Sequence, residues 1–344
     1  MDGALPEVDS VLIVAFGGPE GPADVVPFLR QVTAGRDVAP GRLDEVAGHY
    51  LSAFGGVSPI NGQTRSLARA LRDLLRDSRP ELPVYWGNRN WYPFLAQTVA
   101  GMVRDGRRHA LSLTTSPYPS YSSCRQYDED VAAARAAVPG SPVVTRLRHY
   151  DEEDGFLRAQ AAAVAAAVGR VGPQARLVFT AHSLPQSMAD AAGPRGGGYV
   201  AALRRAAEGV LARLTSAHDW DLVFQSRSGP PAVPWLGPDV GDHLEELYRR
   251  GVRQVVLVPI GFISDHVEVL YDLDIEATRR AAGLSGLVLA RAATVGVAPS
   301  FVAALRDLIA ERVAAPGTWP TPVCPRGCCP VPVSRRPPPP RPHD

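Results

Sequence analysis

Lysine is missing from this chain of 344 residues, so all 36 of its basic side chains are arginine. That excludes Schiff-base catalysis and the lysine of a phosphate-binding P-loop. Net charge is scarce too: at +1, electrostatics make no case for nucleic acid. The one basic cluster, Arg335, Arg336 and Arg341, lies in a proline-rich tail. No apolar run approaches the roughly 20 residues that span a bilayer. The opening MDGALPEVDS lacks the basic-then-apolar order of an export signal. A cytoplasmic, monomeric protein with no nucleic-acid partner and no transmembrane segment is expected. Two motif classes fail on spacing. The first glycine turn has Gly17, Gly18 and Gly21, whereas G-x-G-x-x-G needs glycines where Pro19 and Pro22 stand. Ala181-His182-Ser183 lacks the G-x-S-x-G elbow of a serine hydrolase.

Cysteine is sparse, with Cys124 in the body and Cys324, Cys328 and Cys329 in the motif CPRGCC. Without an export signal, disulfides explain these poorly. Clustered thiols lean toward metal.

Among what is present, 45% hydrophobic residues over this length suit two domains of ordinary size. Short apolar runs at Val11–Phe16, Val84–Trp86, Ala110–Thr114, Val143–Leu147, Leu177–Thr180, Leu222–Phe224 and Val255–Pro259 predict strands. Helical patterns lie between them, at Thr64–Asp77, Pro93–Asp105, Glu129–Ala137, Phe156–Val168, Tyr199–Ser216 and Asp239–Arg250. Such alternation argues for parallel sheets covered on both faces. The pattern runs twice, with a break around His149–Gly155. The expected fold is therefore α/β, two Rossmann-like domains over residues 1–150 and 151–298. A last helix at Pro299–Arg312 (299–315) follows, then a Pro-rich tail, 316–344, that carries CPRGCC.

Ligands of open α/β sheets bind outside the carboxyl ends of the strands. There the chain offers Phe16, the run Thr115–Cys124, His182, Gln225–Pro230 and the turn Gly261–Glu268. These aromatics, hydroxyls, histidine and acids suit a large planar ligand and a cation. The segment Val255–Asp274 is the most informative: a strand, a turn, then a helix with Glu268, Asp272 and Glu276 four residues apart beside His266. A line of carboxylates next to a histidine can receive a metal cation. The plainer reading is a solvated acidic face, with Glu276 paired to Arg280.

Six segments in order carry a resemblance: AFGGPEGP (15–22), FGGVSPIN (54–61), YPSYSS (118–123), TAHSLP (180–185), QSRSGPPAVPWLGP (225–238) and PIGFISDHVEVLYDLD (259–274). Over about Val11–Arg312 the chain resembles the ferrochelatases, which insert ferrous iron into a porphyrin. The resemblance implies two similar domains with the porphyrin between them, and a final helix that returns to the first. It makes His182 the essential histidine, Glu268 the acid facing it across the macrocycle, and Asp272 the next step of an acidic relay. Ser58 and Tyr121 match positions that contact the porphyrin or its propionates, and Phe16 an aromatic position near the metal. Arg227 is a candidate partner for a propionate or for a domain carboxylate. Either His182 or Glu268 can handle the metal first.

Each residue also has a structural reading. His182 suits a buried, hydrogen-bonded histidine, and Ser58 a cap for the next helix. Tyr121 suits a core aromatic, and Cys124 a plain buried thiol. Some ferrochelatases carry a [2Fe–2S] cluster, which the resemblance assigns to Cys124, Cys324, Cys328 and Cys329; a zinc site or an unligated tail is the alternative. It also favours coproporphyrin III over protoporphyrin IX as substrate. Chelatases for other metals lean on paired histidines, and among the strand ends only His182 matches.

Overall fold

The computed structural model describes residues 7–35, 41–77, 79, 81–229, 232–314, 324 and 327–332. The tail's basic cluster and its run Pro337–Pro340 lie outside these. Four parallel strands form the first sheet: β1 (Ser10–Ala15), β2 (Val84–Asn88), β3 (His109–Thr114) and β4 (Val143–Arg146), in the order β2-β1-β3-β4. The second holds β5 (Arg176–His182), β6 (Trp220–Gln225), β7 (Gln254–Val258) and β8 (Val288–Arg291), in the order β6-β5-β7-β8. Counted from β5, the second order repeats the first. Every residue of β1 and β3 is buried, as continuous apolar strands covered on both faces should be. The eighth strand, which the sequence reading did not include, is a short edge strand, exposed or half-buried at each position.

Helices α1 (Val25–Thr33), α2 (Arg42–Phe54), α3 (Ile60–Arg76), α4 (Leu95–Arg104) and α5 (Gln126–Ala137) belong to the first half. The first two were not anticipated. Proline and glycine punctuate that stretch, but Pro27 falls in the first turn of α1, where its missing N–H costs nothing. The remaining helices are α6 (Asp154–Val171), α7 (Gln186–Asp190), α8 (Gly198–Leu211), α9 (Val240–Arg249), α10 (Val267–Val269), α11 (Thr278–Ala282) and α12 (Pro299–Ala314).

Two helices tie the halves together. Although α6 follows β4, it packs on α8, β7 and β8 of the second sheet; α12 follows β8 and packs on α6 and on α3. Where α6 meets α12, Tyr150, Phe156 and Phe301 are fully buried, with ring centroids 5.7–6.1 Å apart. Each such side chain contributes about 1.5–3 kcal/mol through burial. The approach needs Gly155: a Cβ there would stand 2.1 Å from the Ser300 carbonyl oxygen, and the Ser300 hydroxyl donates to the Gly155 carbonyl at 3.0 Å.

Gly155→Ala is therefore expected to destabilise the fold by about 1–3 kcal/mol, because the clash is with backbone that no rotamer can move. Urea unfolding measures this, and a midpoint equal to wild type would refute the contact.

Candidate active site

The strand order reverses between β5 and β7, and at such a switch point the carboxyl ends open into a crevice. His182 is the last residue of β5, two positions beyond the predicted strand end, where burial gives way to partial exposure. Its Nδ1 lies 2.5 Å from the Ser183 carbonyl oxygen. A carbonyl can only accept, so Nδ1 carries a hydrogen, and in the neutral ring the lone pair is on Nε2. That Nε2 stands 3.7 Å from Oε2 of Glu268. Two acceptors facing each other at this range call for a proton or a cation between them.

The turn after β7 makes this meeting possible. Gly261 rests on the end of β5, where a Cβ would stand 2.7 Å from Cβ of Ala181, and its N–H donates to the Thr180 carbonyl at 3.1 Å. The chain then enters α10, which carries Glu268 back across to His182. It also brings in His266, whose Nδ1 lies 4.0 Å from the same Oε2. Burial, reinforced by nearby His182, pushes the His266 pKa down against the pull of Glu268. The site thus holds a second imidazole, biased toward its neutral form. The sequence set His266 beside the acidic line; the structure adds that it shares Glu268 with His182.

The acidic segment differs from the predicted helix. Leu270–Ala277 is π-helical, a rare form that is frequent at functional sites. Asp272 accepts hydrogen bonds at Oδ2 from the Ser226 hydroxyl and, at 3.3 Å, from Nε2 of Gln225. Its pKa is pushed up to about 7, chiefly by burial, with Glu268 and Glu276 adding and Ser226 opposing. The expected Glu276–Arg280 pair is replaced: Arg280 bonds Asp242 at 2.8 Å and Glu245 at 3.3 Å on α9.

The first half supplies the facing wall. Phe16 meets Phe28 edge-on at 6.3 Å, in a cluster with Tyr50, Trp91 and Val267 of α10. His49 of α2 stacks on Tyr271 at 3.8 Å, and Gln63 accepts from the Asp265 N–H at 2.9 Å. Ser58 is buried, with its N–H donating to the Pro19 carbonyl at 2.8 Å. The capping reading of Ser58 fails, since the N-cap of α3 is Pro59, with no side-chain cap bond. Arg227 is exposed just past the end of β6, where its Nη2 donates to the Val233 carbonyl at 3.3 Å. Tyr121 is buried; its hydroxyl donates to Glu129 at 3.0 Å and its ring packs with the thiols.

Those thiols form a second group. Sγ of Cys329 lies 4.0 Å from that of Cys124 and 3.8 Å from that of Cys328, and Cys324 hydrogen-bonds Cys124 and His149. The Gly193 N–H donates to Cys329, and Nη2 of Arg146 to Cys324, each at 3.1 Å. Such donors stabilise ligand sulfur. The Cys124 thiol is pushed up to about 12: the Cys324 contact lowers it, but the bond to Cys329 and burial prevail. Among the described residues no group of three or more His, Cys, Asp or Glu side chains is arranged to hold a metal ion. Four sulfurs are the number and type of ligand that a [2Fe–2S] cluster takes, and these four gather at one place.

The ferrochelatase family profile matches residues 8–313. The chain belongs to the ferrochelatase family. It is 48% identical to the coproporphyrin III ferrochelatase of Streptomyces coelicolor over 95% of this chain and 94% of that one. It is 51% identical to the protein of the same name from Frankia alni over 94% and 86%. Among solved structures, SirB from Bacillus subtilis with Fe3+ superposes with a TM-score of 0.58 at 12% identity, over 90% of this chain and 97% of that one. CbiX, the terminal enzyme for biosynthesis of siroheme in denitrifying bacteria, gives 0.51 at 18% identity, over 88% and 98%. These two likenesses concern the fold, and they match the two-sheet architecture of this ferrochelatase-family chain. Among the described residues no helix is long and apolar enough to cross a membrane.

Asp272 holds its proton to about 7 when folded, against 3.8 for the free side chain. The folded state therefore binds more protons across that interval, and this group's contribution to stability falls as pH rises from about 4 to 7. Asp272→Asn is expected to lose that part of the slope, read as the urea midpoint against pH. A slope identical to wild type would mean that the carboxyl is already ionised.

Proposed function

We propose that this protein inserts Fe2+ into coproporphyrin III, releasing two protons and forming the iron porphyrin. The observation that carries the reading is the His182 imidazole facing the Glu268 carboxylate at a switch point, in a chain about half identical to relatives named for that reaction. A free-base porphyrin presents two weakly acidic N–H groups and a flat ring with poorly aimed lone pairs. Binding at its periphery, with Phe16, Ser58 and Arg227 as contacts, supplies energy to bend the ring, while Tyr121 stands with the thiols instead. His182 offers the Nε2 lone pair and Glu268 a carboxylate, so one can accept a pyrrole proton while the other ligates iron. His266 stands ready as a second imidazole, biased toward its neutral form. Asp272, poised near neutrality, takes protons from the centre and passes them along the π-helix toward Glu276.

On the same reading the chain divides near residue 150, with α12 counted with the first half. Cys124, Cys324, Cys328 and Cys329 hold a [2Fe–2S] cluster, whose chemistry is one-electron transfer. What supports it is the convergence of four thiols with two N–H donors on their sulfurs. A cluster predicts a visible absorption band, with iron and acid-labile sulfide in equal amounts, lost in Cys124→Ser. Zinc in its place would refute it.

Anaerobic metalation of coproporphyrin III is expected to exceed that of protoporphyrin IX. It should vanish in His182→Ala and fall roughly 10²–10⁴-fold in Glu268→Gln. A preference for protoporphyrin IX would change the substrate; no metalation of either would leave a tetrapyrrole-binding protein without this activity.

A further inference from the structure

Two buried tyrosines hold the backbone on which the imidazole–carboxylate pair stands. Tyr199, on α8, donates its hydroxyl to the carbonyl of His182 at 3.0 Å. Tyr118, in the loop after β3, donates to the carbonyl of Ile260 at 3.0 Å, one residue before Gly261. Their rings meet edge to face, with centroids 6.5 Å apart and planes at 88°. Thus one aromatic pair, with a ring from each half of the molecule, grips both strand ends that define the gap between His182 and Glu268. Burial pushes both phenols well above their ordinary range, so the hydroxyls stay protonated and remain donors.

The loop that carries Tyr118 is itself fastened. The Ser123 hydroxyl donates to the Tyr118 carbonyl, Ser120 and Ser123 share a hydrogen bond of 2.7 Å, and the Cys124 N–H donates to the Ser120 carbonyl at 3.1 Å. Cys124 then joins the thiol group, anchored to the second half through Cys329 and the Gly193 N–H. The tyrosine pair is therefore a fixed reference for the site and not a mobile contact.

We propose that Tyr118 and Tyr199 are positioning residues for metal insertion: through the carbonyls of Ile260 and His182 they set the distance between the His182 imidazole and the Glu268 carboxylate. The inference rests on the functional reading above. Reacting groups held in place tolerate little displacement; a shift near 1 Å costs up to about 10²-fold in rate.

Tyr150 provides an internal control. It is equally buried, and its hydroxyl donates at 2.8 Å to the carbonyl of Thr114, at the end of β3. Tyr118→Phe, Tyr199→Phe and Tyr150→Phe each keep the ring and remove one buried hydrogen bond. For the first two, kcat for iron insertion is expected to fall about 10- to 100-fold, with porphyrin affinity, read by fluorescence without iron, little changed. The double variant should lose less than the product of the single losses, because both act through one geometry. Tyr150→Phe should lower Tm comparably and keep wild-type kcat. An unchanged kcat in both site variants, or an equal loss in Tyr150→Phe, would overturn the proposal. Nitrogen NMR of the histidine rings gives a reading independent of turnover: His182 and His266 should shift in the first two variants and not in the third. Should the wild type insert no iron, the functional reading falls, while unshifted histidines in the first two variants would sink the positioning claim by itself.

Discussion

The contact between Gly261 and the end of β5 is the constraint from which the rest of the site follows. Parallel strands that wind outward in opposite directions leave a crevice at their carboxyl ends, but a crevice alone brings no side chains together. Here the chain leaving β7 turns at once against Ala181, so close that a side chain on Gly261 would not fit. That turn aims α10 back over His182. The first half then holds the returning segment with Gln63, His49 and the aromatic cluster around Phe28.

Electrostatics make this arrangement reactive. An imidazole lone pair and a carboxylate face each other across a gap that neither closes. A second imidazole is biased toward its neutral form by burial, and the next acid along the π-helix is poised between its charged and neutral forms. Left empty, such a site is a concentration of acceptors; its natural complement is a cation arriving and protons leaving. The π-helical backbone suits this task, because its wider turns keep positions four apart on nearly the same side.

The thiol group shows a similar logic at the seam between the halves. Cys124 and Arg146 come from the first half, Gly193 from the second, and three cysteines from the tail. Cys124 ends the loop that begins next to Tyr118, and Gly193 lies on the segment that leaves His182 through α7. The thiol group is thus linked by short, hydrogen-bonded segments to both walls of the site.

Much of this was legible in the sequence. Apolar runs announce parallel strands, and seven of the eight among the described residues were expected; β8 was not, although Leu287–Ala290 is an apolar run. The ordered motifs picked out His182, Glu268 and Asp272, which the structure gathers at one crevice, and the four cysteines, whose thiols it brings together. Other features depended on contacts between distant segments. The sequence set His266 beside Glu268 but offered no sign that His182 would meet the same carboxylate, that Arg280 would prefer α9 to Glu276, or that Tyr121 would pack with the thiols. Hydrophobic periodicity and residue chemistry are local properties, so the chain by itself determined its strands, its acids and its histidines. Distances between groups far apart in sequence, and the pKa values that burial confers, were decided only when the two sheets, the exchanged helices and the buried tyrosines came together.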